Sequence, residues 1–148
     1  MTEANGLAAR RATITRLKTL AGGRIFQASL DEDGAGYDIP RDNSGRVLPH
    51  VVVDWLTPSP TYNDRVMGRG EIDQPHNLYG SFACIAGDAD AAERLMGAVF
   101  DQLVGWAPTE KSNPYTSRSG FRERIVRKST TLPERFLEML YCSTEVNH

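Results

Sequence analysis

The stretch from Asp88 to Gly105 limits what this chain can become more than any other. Ala92, Leu95, Met96, Val99, Phe100 and Leu103 recur at the helical period and form one continuous apolar stripe. Asp88 stands where an N-cap is needed, and Asp90 and Glu93 place negative charge in the first turn. Gly105 follows directly after the end. The segment predicts an amphipathic helix that packs its stripe on a sheet.

Strands for that sheet are visible on both sides of the helix. Leu48-Pro49-His50-Val51-Val52-Val53-Asp54-Trp55-Leu56 is short and β-branched, which predicts a buried strand opened by Pro49. From Pro75 to Ala86 the residues alternate, with Leu78, Phe82, Cys84 and Ala86 on one face and Tyr79, Ser81, Ala83 and Ile85 on the other. Phe121 to Lys128 and Phe136 to Val146 alternate likewise, and Ser129-Thr130-Thr131-Leu132-Pro133 separates them. Near the N-terminus, Leu7, Ile14, Leu17 and Ala21 share a helical face, predicting a helix from Leu7 to Ala21 that Gly22-Gly23 closes. A short strand from Arg24 to Leu30 follows.

The connections carry turn chemistry. Asp31 to Arg46 is acidic and rich in glycine, ending in Asp42-Asn43-Ser44-Gly45. Thr57-Pro58-Ser59-Pro60-Thr61 cannot continue a central strand and is expected as a loop, and Gly68 and Gly70 leave Arg65 to Glu71 ambiguous. A polar loop runs from Trp106-Ala107-Pro108 to about Ser119. The order is helix, strands, helix, strands, without regular βαβ alternation. We therefore expect an α+β fold, with a mostly antiparallel or mixed sheet and two main helices packed on one face. The 148 residues, 40% of them hydrophobic and 24% charged, suffice for a single domain over 1–148 with one core.

The formal net charge of −2 points to neither nucleic acid nor a membrane. No apolar run approaches the ~20 residues of a spanning helix, and the N-terminus lacks a secretory pattern. Cys84 and Cys142 are expected as two buried thiols, with a disulfide between them as the alternative.

A search for chemistry finds little. Of His50, His76 and His148, the first opens a predicted strand, where a core or surface role outweighs a catalytic one. No Gly-x-Ser-x-Gly elbow or Walker lysine occurs, and Gly34-Ala35-Gly36 and Gly68-Arg69-Gly70 precede no helix. Asp31-Glu32-Asp33-Gly34-Ala35-Gly36 is superficially like a calcium loop. However, Ala35 stands at a ligand position, the twelfth residue is Asp42, and a strand precedes it. Glu71, Asp73 and His76 lie near one another in sequence without a partner cluster, so a polar turn explains them. We expect no enzyme, no metal and no cofactor.

Two charged segments remain as candidate partner contacts. Asp31, Asp33 and Asp38 belong to the acidic loop, and Arg118, Arg122, Arg124 and Arg127 form a basic segment on or near an edge strand. Charge that keeps an edge soluble is the plainer explanation. An acidic partner or a DNA backbone is the functional one.

Taken in order, the elements resemble a known family. They are the glycine-closed helix leading to Arg24-Ile25-Phe26, and the strand from Leu48 to Val53. A long strand then runs into Ala86-Gly87-Asp88-Ala89-Asp90-Ala91-Ala92-Glu93-Arg94-Leu95, whose helix ends near Leu103-Val104-Gly105-Trp106. A C-terminal strand pair completes the order. From about residue 7 to 146 this resembles the tail terminator proteins, also called minor tail or tail-completion proteins, of long-tailed bacteriophages. The resemblance implies a structural virion protein made in the host cytoplasm, forming a hexameric ring at the head-proximal end of the tail. Such a ring ends growth of the tail tube protein, joins the head–tail connector or stopper, and surrounds the path of the genomic DNA. Another head–tail joining or neck protein is an alternative, as is an unrelated small-molecule-binding α+β domain.

Overall fold

A computed structural model describes residues 2–28, 38–55, 59–60, 76–127 and 135–146. For 2–5, 59–60, 76 and 118–127 it describes the backbone alone. Two helices, α1 (Thr2–Leu17) and α2 (Ala89–Leu103), accompany six strands. The strands are β1 (Ile25–Gln27), β2 (His50–Trp55), β3 (Ser59–Pro60), β4 (His76–Ala86), β5 (Thr116–Arg127) and β6 (Arg135–Val146). The sheet order is β1-β2-β4-β6-β5, with β3 also paired to β4; Ser59 and Pro60, expected in a loop, thus form a short strand off the main path of the sheet, where a proline is tolerated. All pairings are antiparallel except β1 with β2, which is parallel, so the fold is α+β with a mixed sheet.

Helix α2 forms as its sequence predicts. The Asp88 carboxylate accepts from the Ala91 backbone N–H at 2.7 Å, satisfying a donor that the first turn leaves unpaired. Ala92, Leu95, Met96, Val99 and Leu103 are buried. Phe100, expected in the same stripe, is 41% exposed, because at helical spacing it falls at the margin of the arc that the five buried positions occupy.

Helix α1 begins earlier than expected and stops at Leu17 rather than Ala21. Ala21, Gly22 and Gly23 all take positive φ, which no right-handed helix admits. Its buried positions are Ala9, Thr13, Ile14 and Leu17, while Leu7 is 46% exposed. Strand β1 is also shorter than expected: Ile25–Gln27, with 29–30 outside the described residues.

The principal core lies between the sheet and both helices. Ile14 and Leu17 of α1, Leu95, Met96, Val99 and Leu103 of α2, and Val51, Val53, Phe82, Cys84, Leu140 and Cys142 of the sheet form one cluster. Strand alternation sends Val52, Ala83, Ile85, Leu137 and Met139 to the opposite face, where Val47, Ala28 and Ile39 pack on them. Gly80 lets β4 pass under an aromatic lid: a Cβ there would lie 2.9 Å from the Trp55 ring and 3.0 Å from that of Phe82.

Strand β5 starts at Thr116, inside the loop expected to run to Ser119. Thr116 and Ser117 pair with Ser143 and Cys142, and the register then shifts before Arg122 pairs with Leu140. Polar residues entered the ladder because β6 offers a long partner, a tertiary effect that local composition does not carry. The two cysteines are free and buried. Cys142 lies opposite Gly80, four residues along β4 from Cys84, so roughly 14 Å separates their rows, too far for a disulfide.

Candidate functional site

The structure gathers the basic residues on one strand. Arg118, Arg122, Arg124 and Arg127 all lie on β5, an edge strand bonded to β6 alone in the sheet order. Arg122 is in register with Leu140, Arg124 with Glu138 and Arg127 with Arg135, while Arg118 falls in the irregular stretch. Their side chains are outside the described residues. Asp31 and Asp33 are outside them as well. Asp38 is exposed, and the next residue, Ile39, packs on the helix-free face. Strand β1, which precedes the acidic segment in sequence, is the opposite edge of the sheet, four strand spacings or roughly 19 Å from β5.

The histidine that opens β2 is a core residue. His50 is wholly buried, its Nδ1 lies 2.8 Å from the Leu48 carbonyl, and its ring meets Phe26 edge-on at 5.8 Å. Burial, with smaller contributions from the Arg135 and Arg24 charges, pushes its pKa down to about 4. His76 opens β4 in register with Val146 and Pro60, and His148 is outside the described residues. Burial pushes the Cys142 thiol and the Tyr115 hydroxyl each up to about 12, the latter despite its bond to Thr13. At neutral pH all three groups are therefore uncharged and held by packing.

Among the described residues no three His, Cys, Asp or Glu side chains stand close enough to hold a metal ion. The calcium-like loop lies outside these residues, as do Glu71 and Asp73. No described helix is long and apolar enough to cross a membrane.

Three arrangements escape the sequence reading. Arg135, at the start of β6, is 2% exposed, and its Nη1 has no hydrogen-bond partner. An arginine two residues after Pro133 gives no local hint of burial. Second, Arg16 on α1 reaches the end of α2: its Nε donates to the Gln102 carbonyl at 2.7 Å, and its guanidinium lies 4.6 Å from the Trp106 ring centroid. Third, Trp106 stacks on Tyr115 at 6.3 Å, and the Tyr115 hydroxyl returns to Thr13 Oγ1 at 2.8 Å. The segment after α2 is thus tied back to α1 twice.

The described residues therefore present an assembled scaffold with charge at its margins. No family model and no curated protein matches this chain. Among solved structures, the chain is similar to one from the virion of a native gene transfer agent (GTA) particle, at 13% sequence identity and a TM-score of 0.53. The match covers 94% of each chain, so the protein shares its fold over nearly its full length with a component of that particle.

Proposed function

We infer that this chain is a structural subunit of a phage-like virion. Its place is a ring at the head-proximal end of the tail, where it ends tube polymerisation and joins the tail to the head connector. The observation that carries the virion reading is the fold likeness to a GTA virion chain over 94% of both chains. The resemblance to tail terminators supplies the finer position.

The geometry supports an assembling rather than a reacting protein. Its buried histidine, thiol and phenol are uncharged core groups. The arginines instead collect on an exposed type of element, an edge strand, where ring symmetry would repeat them into a basic band. That band faces the lumen or an acidic neighbouring ring, and the acidic loop faces a neighbouring subunit or the tube.

Reconstruction of the tail–head junction in an intact particle tests the reading. Six copies around the junction are expected. Location of the chain in the baseplate, the capsid shell or the tube wall would eliminate it. A different neck ring would retain the virion reading and replace the terminator assignment.

A further inference from the structure

The two helices leave two stripes turned away from the core. On α1, Leu7, Arg11 and Thr15 are exposed, as is Lys18, whose N–H still bonds to the Ile14 carbonyl in helical fashion. Spacings of four, eight and eleven residues place them on one side. On α2, the exposed Asp90, Glu93, Gly97, Phe100 and Asp101 share a side, with Arg94 exposed at its rim. Among the described residues Leu7 and Phe100 are the large apolar side chains left exposed, one in each stripe.

The stripes complement each other. The first carries Arg11 and Lys18, the second Asp90 and Asp101, and none of these four enters an ion pair among the described residues. Gly97 adds an independent indication. A Cβ at that position would meet nothing within 4 Å, so packing among the described residues gives no reason for a glycine midway along α2. Glycine is disfavoured inside a helix relative to alanine, and its usual compensation is close approach by another body. No described residue supplies that approach, so the notch stands open to a second copy.

We propose that the α1 stripe of one copy docks on the α2 stripe of the next, Leu7 seating beside Phe100 over the notch at Gly97. Arg11 and Lys18 then lie against Asp90 and Asp101. The proposal rests on the reading of the chain as an assembling subunit and names the surfaces that meet. Because the stripes differ, each copy offers one and receives on the other, which is how identical subunits close a ring.

Cross-linking of purified full-length chains tests it. Leu7→Cys and Phe100→Cys chains, distinguished by mass tags, are mixed at high concentration and oxidised; native Cys84 and Cys142 are buried and stay silent. Disulfides joining the two different variants should exceed those joining like to like several-fold. Equal amounts, like-to-like dominance or no disulfide at the highest soluble concentration would each overturn the proposal. Gly97→Leu, made in the Phe100→Cys chain, should preserve or raise the melting temperature while suppressing the mixed disulfide; undiminished cross-linking counts against the notch. Asp90→Lys with Asp101→Lys should also suppress it, and adding Arg11→Glu with Lys18→Glu to the partner chain should restore it. Suppression without restoration would give the α2 stripe to a different partner and overturn the contact between copies. These readouts need no particle. A mixed disulfide from a chain located in the capsid shell would therefore sink the terminator reading and leave this contact standing.

Discussion

Arg16 caps a helix to which it does not belong. The last turn of α2 contains no basic residue of its own, and the Arg16 guanidinium supplies the positive charge from α1, between the Gln102 carbonyl and the Trp106 ring. A cation at a helix C-terminus opposes the negative end of the helix dipole, and the aromatic face adds its own attraction. Arg16→Ala should therefore lower stability by about 1–3 kcal/mol in urea melts. Arg16→Lys should recover only part of that loss, since lysine keeps the charge and lacks the planar donor fork. Equal stability of all three proteins would show the contact to be inert.

The burial pattern along α2 separates residues that its sequence treats alike. Leu95→Ala should cost about 2–5 kcal/mol, because it opens a cavity in the main core. Phe100→Ala should cost about 1 kcal/mol or less, as its ring is substantially exposed. Asp88→Ala should fall between them at about 0.5–2 kcal/mol, losing the cap and the 2.5 Å pair with Arg46. Thermal melts rank the three. A Phe100→Ala loss equal to that of Leu95→Ala would contradict the packing described.

His50 gives stability a pH dependence of definite sign. Its folded pKa of about 4 lies below the ordinary 6.5, so the unfolded chain binds the proton more readily. The contribution is full above about pH 6.5 and is lost as the pH falls towards 4. Its size is on the order of 3 kcal/mol. His50→Gln should flatten the slope of stability against pH across that window, whatever it does to the stability at pH 7. An unchanged slope would assign the acid sensitivity to other groups.

The register of β5 determines which charge reversals report on assembly. Arg124 lies opposite the buried Glu138, and Arg124→Glu would set two carboxylates across one pair of strands, costing stability directly. Arg122 lies opposite Leu140, so Arg122→Glu combined with Arg118→Glu is the cleaner variant. Its melting temperature should stay close to that of the parent, while completion of tails or their joining to heads should fall. Normal particle yield would remove these two arginines from the functional account and leave solubility of the edge as their role.

Helix α2 was legible because local signals agreed: a capping aspartate, a 3.6-residue stripe, and Gly105, which adopts φ 86°. The central strands were legible for the same reason, and β4 presents the two faces its alternation implies. Phe100 was misplaced because periodicity gives the direction of a stripe and not its width. The parallel pairing of β1 with β2 has no local signature, since either direction uses the same alternation. Arg135 and the tie from Arg16 to Trp106 depend on partners distant in sequence, which composition along the chain does not disclose. The acidic half of the predicted contact surface was read from charge alone and lies mostly outside the described residues, with Asp38 the exception.

The position of β6 has a consequence for how the molecule comes into being. It is the last strand in the sequence, yet it lies inside the sheet, with β4 on one side and β5 on the other. Its eleven-residue pairing with β4 brings together segments on either side of α2, so the middle of the sheet forms by closing a long loop. Contacts of this kind slow folding, because the entropy of closure is lost before the contacts form. Until Val146 has left the ribosome, β4 lacks one neighbour and β5 has none in the sheet. The basic edge therefore appears only with the completed sheet, and a nascent chain does not yet present it.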